Sequence, residues 1–81
     1  MPTVHLQRDH ARFTDGEQVL DVDGATVGKV IDELDRRHPG LGPLLREGSS
    51  VAINSEIIPN GEYQKVDPDT HIHFVAIITG G

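Results

Sequence analysis

His71 and His73 stand two apart in the run HIHFVAII, a spacing that lets two imidazoles leave one face of a strand and share a metal ion. His5, in TVHLQ, can join them from a neighbouring strand. The chain has no cysteine, and no carboxylate is placed beside these rings. Histidines on an exposed strand face are therefore the simpler reading, and no metal site is expected. The five histidines do allow pH-sensitive binding. Asp67 and Asp69 resemble a catalytic carboxylate pair, yet VDPDT reads as a turn whose side chains bond local backbone. General acid–base work would also need a pocket, which a domain this small scarcely offers. No Ser-His-Asp arrangement and no phosphate loop occur, so no enzyme activity is expected of the chain alone. What remains is Thr79-Gly80-Gly81. A glycine pair usually marks a turn, but in this sequence no segment follows for the chain to turn into. Either these glycines are a frayed end, or the terminal carboxylate does the work.

The elements that would position such a terminus can be read from composition and periodicity. At 81 residues there is room for one small domain, near the lower limit for a single core. A hydrophobic fraction of 36% with 25% charged residues fits an ordinary globule. No apolar run approaches the ~20 residues needed to span a bilayer, and MPTVHLQRDH lacks the apolar middle of a signal peptide. Without cysteine there is no disulfide framework, and a cytoplasmic location is expected, with no membrane partner. The net charge of −6 argues against nucleic acid, which demands a basic face, and suits a partner with a positive surface.

TVHLQ alternates, turning Val4 and Leu6 to one face and His5 and Gln7 to the other. RDHARFTDGEQ is polar and reads as the connection of a hairpin into VLDV, with Leu20 and Val22 inward. Thr26 is a helix cap, and Val27, Val30, Ile31 and Leu34 form one helical stripe. Asp32, Glu33 and Asp35 point to solvent, Arg36, Arg37 and His38 complement the dipole, and Pro39-Gly40 ends the helix. LGPLLREG reads as a loop with one further helical turn. SVAIN is a strand, SEIIPNGEY holds a short strand broken at Pro59 and a turn at Asn60-Gly61, and HIHFVAII is the last strand. Lys29 and Lys65 carry no special signal. The order β-β-α-β-β-β predicts an α+β fold of β-grasp type, a mixed sheet of four to five strands with one main helix on one face. First and last strands would lie parallel at its centre, which explains the nearly continuous apolar run of the last one. The domain would span residues 1–78, with 79–81 a flexible tail.

The plan, the length and the glycine pair behind an apolar strand resemble the ThiS/MoaD family of ubiquitin-like sulfur carrier proteins. The likeness covers essentially the whole chain. It rests on ATVGKVIDELDRRHPGL, on VAINSEII, where the family usually has valine-asparagine-glycine-glutamate, and on VDPDTHIHFVAIITGG. Ser55 stands where glycine is common, and Ile77-Ile78 replaces the prolines often found before the tail. The helix region is closer to the MoaD and CysO branches than to the thiazole-pathway carrier.

The resemblance implies that Gly81 is adenylated by a partner, a ubiquitin-activating-type adenylyltransferase and sulfurtransferase that uses ATP. The Gly81 thiocarboxylate formed next would serve a sulfur-accepting biosynthetic enzyme. No cofactor would be bound permanently. Thr79, Gly80 and Gly81 would thread a narrow channel, where side chains on the last two positions would obstruct. Ordering each tail residue there costs ~1–2 kcal/mol, which docking of the folded body must offset. If Ile72, Phe74 and Ala76 face the helix, then His71, His73, Val75 and Ile77 face outward. Family members dock through this sheet face, which implies docking roles for His73, Val75 and Ile77. Two rival readings share the same residues. One is a protein modifier joined through Gly81 to lysines, and the other a β-grasp interaction domain with incidental glycines. The pathway served is not legible in the sequence.

Overall fold

The computed structural model describes residues 1–59 and 61–76. Its strands are β1 (Thr3–His5), β2 (Val19–Asp21), β3 (Ser49–Ile53), β4 (Glu56–Ile58) and β5 (His71–Ala76), and its helices α1 (Arg8–Ala11), α2 (Val27–Arg37) and α3 (Leu41–Gly48). A single 3₁₀ turn, Gly61–Tyr63, precedes β5. The five strands form one sheet in the order β2-β1-β5-β3-β4, with β1 and β5 parallel and the other pairs antiparallel. This is the mixed sheet expected of the sequence. β5 is hydrogen-bonded on both sides, and its inward residues Ile72 and Phe74 are fully buried.

Strand alternation and helical periodicity meet in one core. Val4, Leu6, Leu20, Val22 and Val51 lie on the covered face of the sheet, with Val27, Val30, Ile31 and Leu34 of α2 packed over them. Burying each such side chain contributes ~1.5–3 kcal/mol relative to exposure. Thr26 caps α2 as expected, its hydroxyl accepting from the Lys29 N–H at 3.2 Å.

LGPLLREG departs from expectation, because it forms a full helix and not a loop with one turn. Its glycine and proline suggested a break, but both fit the N-terminal turn. Pro43 occupies the third helical position, where an N–H would have no acceptor within the helix. Gly42 is needed for space, since a Cβ there would come within 2.9 Å of the Asp35 Cβ. Leu41 and Leu45, one turn apart, complete the core beside α2. The connection of the first hairpin likewise contains the short α1.

The acidic face of α2 is less free than its sequence suggests. Asp35 Oδ1 accepts from Gly40 N at 3.1 Å and Gly42 N at 3.0 Å, so this carboxylate fixes the α2–α3 junction. Asp32 pairs with Arg46 of α3 at 2.6 Å, and the Arg46 Nε reaches Glu62 at 3.2 Å. Arg46 thus ties α2, α3 and the 3₁₀ turn together. The Arg36 and Arg37 side chains turn back to Glu33, whose pKa their hydrogen bonds draw down to about 2. In VDPDT the local bond is made by Thr70, whose hydroxyl accepts from the Asp67 N–H at 2.9 Å, and not by the two carboxylates.

The β3–β4 hairpin turns through Asn54 at φ 54° and Ser55 at φ 66°. Two successive left-handed residues define a type I′ turn, in which asparagine-glycine is the preferred pair. Holding serine in that region costs ~1–2 kcal/mol, partly offset by the ~0.5–1 kcal/mol of chain entropy that glycine would lose. Ser55→Gly should therefore stabilise the fold by about 0.5–1 kcal/mol, raising Tm by roughly 2–6 °C in a thermal melt.

His10 is 1% exposed, and its Nδ1 accepts from the Gln7 N–H at 3.3 Å, which leaves the proton on Nε2. That Nε2 finds no hydrogen-bond partner among the described residues. Burial lowers the His10 pKa, against a weaker upward pull from the Asp9 carboxylate. The unfolded chain takes up this proton near pH ~6.5 and the folded chain resists it. Stability from this group is complete above that pH and falls as pH drops, by at most ~1.4 kcal/mol per pH unit. Urea midpoints should decline from pH 7.5 to 5.5, and less steeply in His10→Gln.

Candidate docking face

The side of the sheet away from the helices is uncovered by any described element, and strand register fixes its composition. Val19 pairs with His5, His5 with His73, His73 with Ala52 and Ala52 with Ile57, which makes one row across all five strands. Val19 is 61% and Ile57 55% exposed, so two apolar side chains mark the ends of the row. Val75 of β5 is half-buried opposite Ser50 of β3. On the other side of the row, Asp21, Thr3 and His71 stand side by side, with the Thr3 hydroxyl donating to Asp21 Oδ1 at 3.2 Å.

Three imidazoles converge at the centre. His5 stacks on His73 with ring centroids 4.2 Å apart and planes within 9°. It also meets His71, 5.1 Å centroid to centroid, through a 2.8 Å bond between His5 Nε2 and His71 Nδ1. One ring must donate and the other accept, so that pair carries at most one extra proton. Partial burial lowers the His5 pKa, and His73 and then His71 push it further in the same direction. The stacked rings make the centre of the face flat, and its shared ring, His5, is held toward the uncharged form. The rings stack on and bond to one another instead of surrounding a common point, and no metal-holding group of His, Asp or Glu occurs among the described residues.

The outward parity expected for His5, Gln7, His71, His73 and Val75 agrees with their exposure, and Ile72 and Phe74 are inward. Ile77, Thr79, Gly80 and Gly81 lie outside the described residues, as does the proposed boundary at residue 78. Val19, Ala52 and Ile57 were not singled out from the sequence. The parity that placed Leu20 inward already implied an outward Val19, whereas Ile57 depended on the register of β4. The chain also holds a cleft of about 460 Å³ among β3, β4 and α3, lined by Ser50, Ile57, Ile58, Pro59, Arg46 and Glu62, where little hollow space was expected. Its Arg46 is committed to Asp32 and Glu62.

A five-stranded sheet with a parallel central pair, one capped main helix and an open face describes many β-grasp proteins. The family model of the ThiS family matches residues 7–81. The chain belongs to the ThiS family.

Solved structures agree. A chain from the crystal structure of the Amycolatopsis orientalis BexX/CysO complex superposes with a TM-score of 0.87 at 25% identity, each chain covered in full. Mycobacterium tuberculosis CysO gives a TM-score of 0.85 at 17% identity, over 96% of this chain and 100% of that one. The small archaeal modifier protein 1 of Methanosarcina acetivorans gives 0.82 at 18% identity, over 99% and 95%. The latter two likenesses establish the fold. Among curated protein sequences no relative matches. Membership of the ThiS family makes the chain a ubiquitin-like carrier, of a kind that is generally acted upon and not itself catalytic. No helix among the described residues is long and apolar enough to cross a membrane.

Proposed function

We propose that this ThiS-family chain is a sulfur carrier whose working group is the carboxylate of Gly81. The observation that carries the reading is the family match, which runs through the glycine pair to residue 81. A carboxylate is a poor electrophile, because its leaving group would be oxide. Attack of the carboxylate oxygen on the α-phosphate of ATP forms an acyl adenylate and releases pyrophosphate. Hydrosulfide then adds to the Gly81 carbonyl carbon, the C–O bond to AMP breaks, and AMP departs. The resulting thiocarboxylate is ionised at neutral pH, and its sulfur is a better nucleophile than the oxygen it replaced. Its sulfur attacks an electrophilic centre of the acceptor held by a biosynthetic enzyme, and hydrolysis of the C–S bond to Gly81 leaves the sulfur there and restores the Gly81 carboxylate. ATP belongs to the activating enzyme and needs no site on the carrier.

The body supplies the address. The ATP-using ubiquitin-activating-type enzyme docks on the open sheet face, with His73, Val75 and Ile77 under it, while Thr79, Gly80 and Gly81 enter its channel. That β5 runs along the middle of this face toward the tail supports the pairing of the two. The CysO chain in complex with BexX is a relative of the same fold seated on a partner protein. The acidic body, at net charge −6, suits a partner with a basic rim.

A second reading follows from the likeness to the archaeal modifier protein, namely conjugation of Gly81 to lysines of target proteins. Both uses begin with the adenylate, so the test lies downstream. Purified chain, activating enzyme, ATP and hydrosulfide should yield free thiocarboxylate, whereas conjugation predicts heavier species in lysate that vanish when Gly81 is deleted. Persistent conjugates without free thiocarboxylate would replace the first reading by the second.

A further inference from the structure

We propose that the His5–His71–His73 stack is a proton-sensitive gate at the centre of the docking face, which a partner with an apolar centre and a basic rim engages only while the rings stay stacked and hydrogen-bonded. This rests on the docking role assigned above to the open sheet face, and adds its control.

The geometry limits the charge that the stack can hold. His5 belongs to both contacts, face to face with His73 at 4.2 Å and hydrogen-bonded to His71 at 2.8 Å. Two charged rings cannot keep the 2.8 Å bond, because neither nitrogen could then accept. Two parallel cations at 4.2 Å also repel. A second proton therefore breaks the arrangement, turns rings out of the row and places positive charge where a basic-rimmed partner must sit. Exposed Val19 and Ile57 close the row at its ends, so the stacked rings lie between two apolar side chains on the surface to be covered.

The surroundings do not cancel this charge along the row. From β2 the carboxylate sharing the face is Asp21, which receives the Thr3 hydroxyl and stands in line with Thr3 and His71, one row away from His5 and His73. β3 contributes only Ser50 and Ala52 to the face, with no titratable group. Glu56 of β4 is opposite Ile53, on the other parity, and Asp69 lies in the turn ahead of β5.

The test is affinity for the activating enzyme of the same genome, measured by calorimetry from pH 7.5 to 5.5, with NMR of the free chain confirming that it stays folded at each pH. Each proton that must leave before docking weakens binding about tenfold at one pH unit below its midpoint. The slope should flatten in His5→Phe, which keeps a flat ring but ends the shared bond, and should persist in His38→Asn, whose ring lies off this face. An affinity that is independent of pH, or equal slopes in wild type and His5→Phe, would overturn the gate while leaving sulfur loading intact. Failure to bind or load at every pH would overturn the docking role itself, and the gate with it.

Discussion

Deleting Gly81 should reduce adenylation of the chain by the activating enzyme to background, and so should adding one alanine after it. Either change shifts the carboxylate by one residue, ~3.5 Å along an extended chain. Misplacing a reacting atom by ~1 Å already costs about a hundredfold in rate, so the loss should exceed a hundredfold. Release of pyrophosphate from ATP reads it directly. Both variants leave Val4, Phe74 and the α2 stripe in place, and unchanged urea midpoints would show that the lost activity is not lost folding. An alanine-extended chain that is adenylated normally would mean that the glycine pair is incidental to an interaction domain.

The second large effect concerns the platform. Phe74 is 1% exposed at the middle of β5, between β1 and β3 and beneath the helices. Truncating a buried phenylalanine costs ~3–5 kcal/mol, through lost transfer energy and the cavity left behind. A domain of this size holds only ~5 kcal/mol or little more in total. Phe74→Ala should therefore be largely unfolded at 37 °C by circular dichroism. Tyr63→Ala, at a residue 77% exposed, should stay within ~0.5 kcal/mol of wild type. A Phe74→Ala chain as stable as the parent would contradict the placement of β5 at the sheet centre.

Those two expectations rest on different degrees of legibility. The α2 stripe, its Thr26 cap and the parity of β1 and β5 could be read from spacing alone, because a period of 3.6 or 2 survives any tertiary context. The helix α3 could not. Gly42 and Pro43 are breakers by type, and only the approach of Asp35 and the free N–H groups of a first turn explain them. For the same reason Asp35 read as solvated, although its carboxylate bonds two backbone amides. The clasp of Arg46 on Asp32 and Glu62 joins residues far apart in sequence, and no local pattern announces it. Of the open sheet face, the outward histidines were legible as a parity. That His5 is shared between two rings depended on the parallel register of β1 against β5. Thr79, Gly80 and Gly81 lie outside the described residues, and their reading rests on residue type and on the family match that includes them.

The chain contains no cysteine, and this makes one measurement unusually direct. After incubation with ATP, hydrosulfide and the activating enzyme, the intact protein should gain the mass difference between sulfur and oxygen. Brief treatment with iodoacetamide should then add one alkyl group, located by fragmentation on Gly81. A mass unchanged after incubation, or a sulfur found anywhere other than the last residue, would contradict the carrier role.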